Sequence, residues 1–188
     1  MKKIIAIVLF IAALFLLCLS LSASALSDPP FTNTGTFEVE SAGLYTQYRY
    51  ESDSSMWQWI VDDSDTSALL LNSIYAEPVM ADHYYQDFAD LFYVEEGDIG
   101  KITLDNGDVY YYVCTGVYDG YNNGEDIRFI DGTTATGSWA PRLCDLVCYT
   151  CDHSLNVVDG VRIVMFDRCE QPRVSAPVVY MLAEMQPK

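Results

Sequence analysis

Positive charge is what this sequence has least of. The 188 residues hold 10 Lys and Arg against 27 Asp and Glu, a formal net charge of -17. Lys2 and Lys3 open the chain. Residues 26–188 therefore keep eight basic side chains beside all 27 acidic ones, about -19. A surface of that sign repels nucleic acid and anionic lipid, so neither is an expected partner. Histidine is rarer still: His83 and His153 are the whole supply for imidazole chemistry. Helix-period patterns are few and no internal repeat stands out, which argues against a bundle or a repeat array. The oxygen-rich stretch 119–126 has no EF-hand spacing. After Cys169 the tail carries no sorting or anchoring feature.

What is present starts with Met1-Lys-Lys3, an almost unbroken apolar run over 4–19, and Ala23-Ser-Ala25. These are the parts of an export signal, with Leu26 opening the mature chain. The run is short for a span of about 20 residues. A cleaved signal peptide is the first reading and an uncleaved membrane anchor the second. A lipoprotein reading through Cys18 is weak, because Leu17 stands where a small residue belongs. In each case the remainder works outside the cytoplasmic membrane. Residues 1–25 are thus signal peptide or anchor, 26–34 (with Asp28-Pro-Pro30) a linker, and 35–188 one domain able to bury a core.

Along that domain, 36–40 and 44–50 read as strands, and Trp57, Trp59 and Ile60 as part of a third. A short helix over the sheet is expected within 65–74. An extended run follows at 78–81, then a helical turn over 87–92 whose Phe88, Leu91 and Phe92 share a side. The clearest hairpin is 99–104 and 109–115 around Asp105-Asn-Gly-Asp108. The Gly- and Asn-rich stretch 116–125 reads as a mobile loop. Strands are expected at 127–130, 143–151 and 162–166, and a strand or short helix at 178–182. The pattern describes an all-β barrel or sandwich.

Outside the leader stand Cys114, Cys144, Cys148, Cys151 and Cys169. Export permits disulfides, and an odd count leaves a thiol over. One free nucleophile and up to two bridges is the economical expectation. Cys144, Cys148, Cys151, His153 and Cys169 are dense enough to raise zinc, but Cys148-x2-Cys151-x-His153 crosses strand faces. A thioredoxin-like reading of Cys148-Tyr-Thr-Cys151 is weakened because no helix follows. No metal or cofactor is expected.

Cys151 ends one strand and Arg162 opens the next, across a loop holding Asp152, His153, Ser154, Asn156, Asp159 and Gly160. His83 lies 68 residues upstream of the thiol. Thiol, imidazole and guanidinium are the nucleophile, proton carrier and oxyanion clamp of acyl transfer. Each has a plainer reading: a buried thiol, a surface histidine, charge balance on an acidic surface. His153 is a rival base.

Three pieces, in order, resemble the sortase family of cysteine transpeptidases. Val147-Cys-Tyr-Thr-Cys151 is similar to the family's Thr-Leu-x-Thr-Cys strand end in its last two residues and departs in the first two. Arg162 keeps the family spacing, eleven residues past the thiol. The stretch from Asp82-His83 to Glu95-Glu-Gly-Asp98 resembles the family's histidine region. The resemblance covers roughly 35–169. It implies a sortase-like eight-stranded β-barrel with short helices, and catalysis by Cys151, His83 and Arg162. The implied partners are a peptide sorting signal and an amine of the cell wall or a pilin. The implied location is the outer side of a bacterial cytoplasmic membrane, with membrane anchoring or secretion. The alternative is a non-catalytic secreted barrel, stabilised by disulfides, that binds or supports.

Overall fold

Gly107 takes a left-handed φ of 89°, and the turn Asp105-Asn-Gly-Asp108 closes around it. Strands β5 (Ile99–Leu104) and β6 (Val109–Asn122) pair antiparallel on either side, with Thr103 opposite Val109. This computed structural model describes residues 28–62, 66–70, 77–137 and 140–171. The expected leader, the segment 178–182 and Trp139 lie outside the described residues.

The other strands are β1 (Thr34–Val39), β2 (Leu44–Glu51), β3 (Ser67–Leu70), β4 (Val79–Asp82), β7 (Ile127–Phe129), β8 (Thr134–Thr136), β9 (Leu146–Cys151) and β10 (Gly160–Cys169). Eight of them close on themselves in the order β1-β2-β3-β4-β9-β10-β6-β5, with β5 returning to β1. Only β2–β3 and β4–β9 are parallel. β7 and β8 extend the far end of β6 as a flap beside the barrel. Closure leaves the eight barrel strands no free edge.

Period-two burial fills the interior. Phe37 and Val39 of β1, Leu44 and Tyr48 of β2, Ile102 and Leu104 of β5, and Val164 and Phe166 of β10 all point inward. Phe37 meets Phe166 edge to face across the barrel, centroids 5.5 Å apart, a geometry worth about 0.5–1.5 kcal/mol beyond its buried area. The 3-10 segment Asp87–Tyr93 plugs the interior with Phe88 and Leu91. The outer faces of β4, β9 and β10 bury a second cluster, Val79, Val147, Ile163 and Met165, with Ile127 and Ala135 of the flap.

Three elements differ from the sequence-based expectation. Trp57–Val61 is a one-turn helix, α1, not a strand. Ile60 and Val61 bury together, and Gln58 donates to Asp62 Oδ1 at 2.8 Å, an i, i+4 bond that extended backbone cannot make. Ser67–Leu70 is strand β3, not helix: all four residues are buried between β2 and β4, so pairing on both sides decides. Most of the stretch expected to be mobile, residues 116–122, is the far half of β6, held by β10 and β7. Glycine serves close approach there. A Cβ on Gly120 would lie 2.2 Å from the Arg128 carbonyl oxygen.

Two further expectations are corrected. Cys114, Cys144, Cys148, Cys151 and Cys169 are all free, so no disulfide joins the described residues. Cys114 and Cys148 fill the barrel core and Cys144 the outer cluster, as small apolar side chains. Among the described residues, no helix is long and apolar enough to cross a membrane, against the expected membrane association.

Candidate active site

The parallel pairing of β4 with β9 builds the site. Its register runs Ala81 to Tyr149 and Asp82 to Thr150. The next residues on the two strands are His83 and Cys151. A 68-residue separation thus becomes a side-by-side placement at two strand ends. Thr150 Oγ1 donates to the Asp82 carbonyl at 2.8 Å and pins those ends. Both side chains line one open cleft of about 410 Å³. Its floor is Ala81, Tyr149 and Cys151. Trp57, Gln58 and Val61 of α1 form one wall, and the turn before β7, with Glu125 and Asp126, the other. Trp57 braces the floor edge-on to Tyr149, at 5.9 Å.

Arg162 is placed differently. It lies opposite Thr150 on β9 and Asp119 on β6, whereas Cys151 lies opposite Val161. Strand side chains alternate, so Arg162 sits on the sheet face opposite the thiol. Its Nη1 donates to Asp119 Oδ1 at 3.0 Å, and it does not line the cleft. His153 is exposed, edge-on to Tyr84 at 4.9 Å, and is also absent from the lining. The structure therefore joins two of the three expected residues in one cleft.

Charge around the thiol is negative. Burial pushes the Cys151 thiol above its ordinary pKa, and the Asp159 carboxylate adds to the rise. Behind His83, Asp82 is only 4% exposed. Burial pushes its carboxyl up to about 6, with bonds from the His83 N–H (2.7 Å) and Ser67 (3.0 Å) opposing. Among the described residues no group of three or more His, Cys, Asp or Glu is arranged to hold a metal ion. A thiol beside an imidazole in an open groove suits acyl transfer.

Comparison with solved structures finds the same architecture. The chain is similar to sortase C1 from Streptococcus agalactiae, at 13% identity and a TM-score of 0.51, covering 73% of this chain and 68% of that one. It is similar to sortase A from Corynebacterium diphtheriae, at 13% identity and a TM-score of 0.50, covering 77% and 64%. The fold is sortase-like. At that identity the likeness establishes the fold alone. No protein-family model matches the chain, and no curated protein matches its sequence.

Sequence reading missed the residues surrounding His83 and Cys151. Asp62 holds His83, Trp57 braces Tyr149, and Asp159 bears on the thiol. For Asp62 a signal exists: Trp57, Ile60 and Val61 fall at i, i+3 and i+4, with Gln58 and Asp62 four apart. For Asp159 none does, since its effect depends on the shape of a loop.

Proposed function

We propose that this chain is an exported sortase-like cysteine transpeptidase. Its substrates are a peptide sorting signal and an amine acceptor from the cell wall or a pilin. Cys151 is the nucleophile and His83 the proton carrier. The observation that carries the reading is the β4–β9 register, which delivers imidazole and thiol to one cleft of a sortase-like barrel.

In the first half-reaction the Cys151 sulfur bonds to the peptide carbonyl carbon and its proton passes to His83. The imidazolium returns that proton to the leaving nitrogen as the C–N bond breaks, leaving a thioester. In the second, the amine attacks the thioester carbonyl and gives a proton to His83. The C–S bond breaks and the thiol is restored. No cofactor enters. Arg162 is assigned the carbonyl clamp from the sequence resemblance. Taking that role requires its guanidinium to leave Asp119 and to come round to the face that carries Cys151.

One arrangement favours a second reading, a non-catalytic barrel that binds or supports: Arg162 and Cys151 occupy opposite faces of the sheet. One experiment separates the two. The full chain is incubated with a randomised peptide pool and hydroxylamine, and intact mass and peptide hydroxamates are followed by mass spectrometry. The enzyme reading expects a thioacyl mass on Cys151 and hydroxamate release, both lost in Cys151→Ala and His83→Ala. Absence of both signals from a folded wild-type chain overturns it in favour of the module.

A further inference from the structure

We propose that Asp62 is the positioning residue for His83. It holds Nε2–H as a donor and leaves Nδ1 as the nitrogen that exchanges protons. This rests on the reading of His83 as proton carrier, and its test is separable from that reading.

His83 Nε2 lies 3.1 Å from Asp62 Oδ1. Gln58 Nε2 donates to the same oxygen at 2.8 Å, so the carboxylate is itself oriented by the previous helical turn. The imidazole stacks face to face on Tyr85, centroids 4.9 Å apart and planes 10° from parallel. An edge contact and a face contact together fix a ring's rotation and its tilt. The backbone beneath is fixed too. His83 N–H donates to Asp82 Oδ1, and Gln86, with its amide turned to satisfy both partners, bridges Val61 O (2.9 Å) and Asp82 Oδ1 (2.8 Å). Helix α1 and the histidine segment are therefore tied together by hydrogen bonds.

The bond has one chemical sense. Its link to His83, and then that from Gln58, hold the Asp62 carboxyl below the usual carboxylate range. An ionised carboxylate only accepts, so the facing ring nitrogen carries the hydrogen. In a neutral ring the lone pair then sits on Nδ1. Asp62 is 60% exposed, and an ion pair so open to water adds little stability. Its effect lies in ring geometry, where small misplacements strongly slow a reaction.

The test uses the ¹⁵N-labelled full chain at alkaline pH, where an imidazole is neutral. Long-range proton–nitrogen spectra assign the His83 tautomer. The wild type is expected as the Nε2–H form. Asp62→Ala is expected to give a tautomer mixture. Asp62→Asn, which keeps the size of the side chain but can turn an amide N–H toward the ring, is expected to lose the Nε2–H preference as well, and its reading stands if Ala unsettles α1. Hydroxamate release from the peptide pool should fall about tenfold or more in Asp62→Ala, part of the roughly 10²- to 10⁴-fold a placed proton carrier supplies. Asp62→Asn should not recover it, because the acceptor-only carboxylate is gone. An unchanged tautomer in a folded Asp62→Ala chain overturns the assignment, whatever its activity. If the wild type releases no hydroxamate, the transpeptidase reading falls, while the spectra still decide whether Asp62 sets the ring.

Discussion

Asp159 has a left-handed φ of 52°, the one non-glycine described residue with positive φ. The position holds a carboxylate close enough to oppose ionisation of Cys151. Asparagine tolerates left-handed backbone and lacks the charge. Asp159→Asn should therefore keep the loop while easing thiolate formation. At neutral pH, iodoacetamide should alkylate Cys151 about twofold or more faster in the variant, because a neighbouring like charge is removed. Intact-mass kinetics read the rate. In the wild type the rate should keep climbing through pH values where an ordinary thiol has levelled off, since burial remains the larger cause of its raised pKa. A rate unchanged by Asp159→Asn would assign the whole rise to burial. Arg162 poses the complementary case. It is the third residue of β10, which starts at Gly160 and not at the arginine as expected, and its partner is Asp119, a residue in a stretch that reads as loop. Which face it takes follows from strand register, and register depends on both neighbouring strands.

Strand β4 is tied to its surroundings through one buried acid. Asp82 lies 3.0 Å from the Ser67 hydroxyl of β3, that hydroxyl 2.7 Å from Thr46 Oγ1 of β2, and Thr46 Oγ1 2.8 Å from Asp87 of the 3-10 segment, so two hydroxyl hydrogens are shared along a chain of three contacts. Three strands and the barrel plug meet at a carboxyl whose pKa is raised to about 6. The sign follows from linkage. A folded-state pKa above the unfolded one means the native state binds more protons between them, so this group's contribution to stability falls as pH rises from about 4 to about 6. Asp82→Asn removes the titration. Its stability relative to wild type should improve from pH 4 to pH 7, by on the order of 2–3 kcal/mol if the full shift is expressed. Urea denaturation of both chains at the two pH values measures it; a difference independent of pH would show that Asp82 is not buried as a charge. The same neighbourhood shows what sequence could and could not tell. The β5–β6 hairpin was legible because its turn and alternation are local. So was the Cys151 strand, from its β-branched and aromatic residues. Ser67–Leu70 was not, because four buried residues fit a helix or a strand until β2 and β4 flank them. Placing His83 beside Cys151 needed the parallel β4–β9 pairing, a contact that no local pattern encodes.

The described residues close into a barrel, and the chain carries far more acid than base. Each of the six basic residues among the described residues already has a partner. Lys101 meets Glu38, Arg128 Asp126, Arg162 Asp119, and Arg142 both Asp28 and Asp145. Arg49 lies over the Trp59 ring at 4.9 Å and Arg168 over Tyr110 at 4.6 Å. The surplus carboxylates are left to repel one another over a surface that folding makes compact. Salt acts on both terms. It weakens exposed ion pairs, each worth about 0–1 kcal/mol, and it screens the repulsion of a net charge of -17. Repulsion sums over many pairs at long range, so its screening should dominate. Raising sodium chloride from about 0.01 M to about 0.15 M shortens the Debye length from about 30 Å to about 8 Å. The melting temperature should rise by a few degrees, about the effect of 1 kcal/mol on a domain of this size. Chloride is the informative anion, because sulfate also stabilises by exclusion from the surface. A melting temperature that falls over this range would mean that the few ion pairs outweigh the excess charge, and that the barrel is held by its rim contacts as much as by its core.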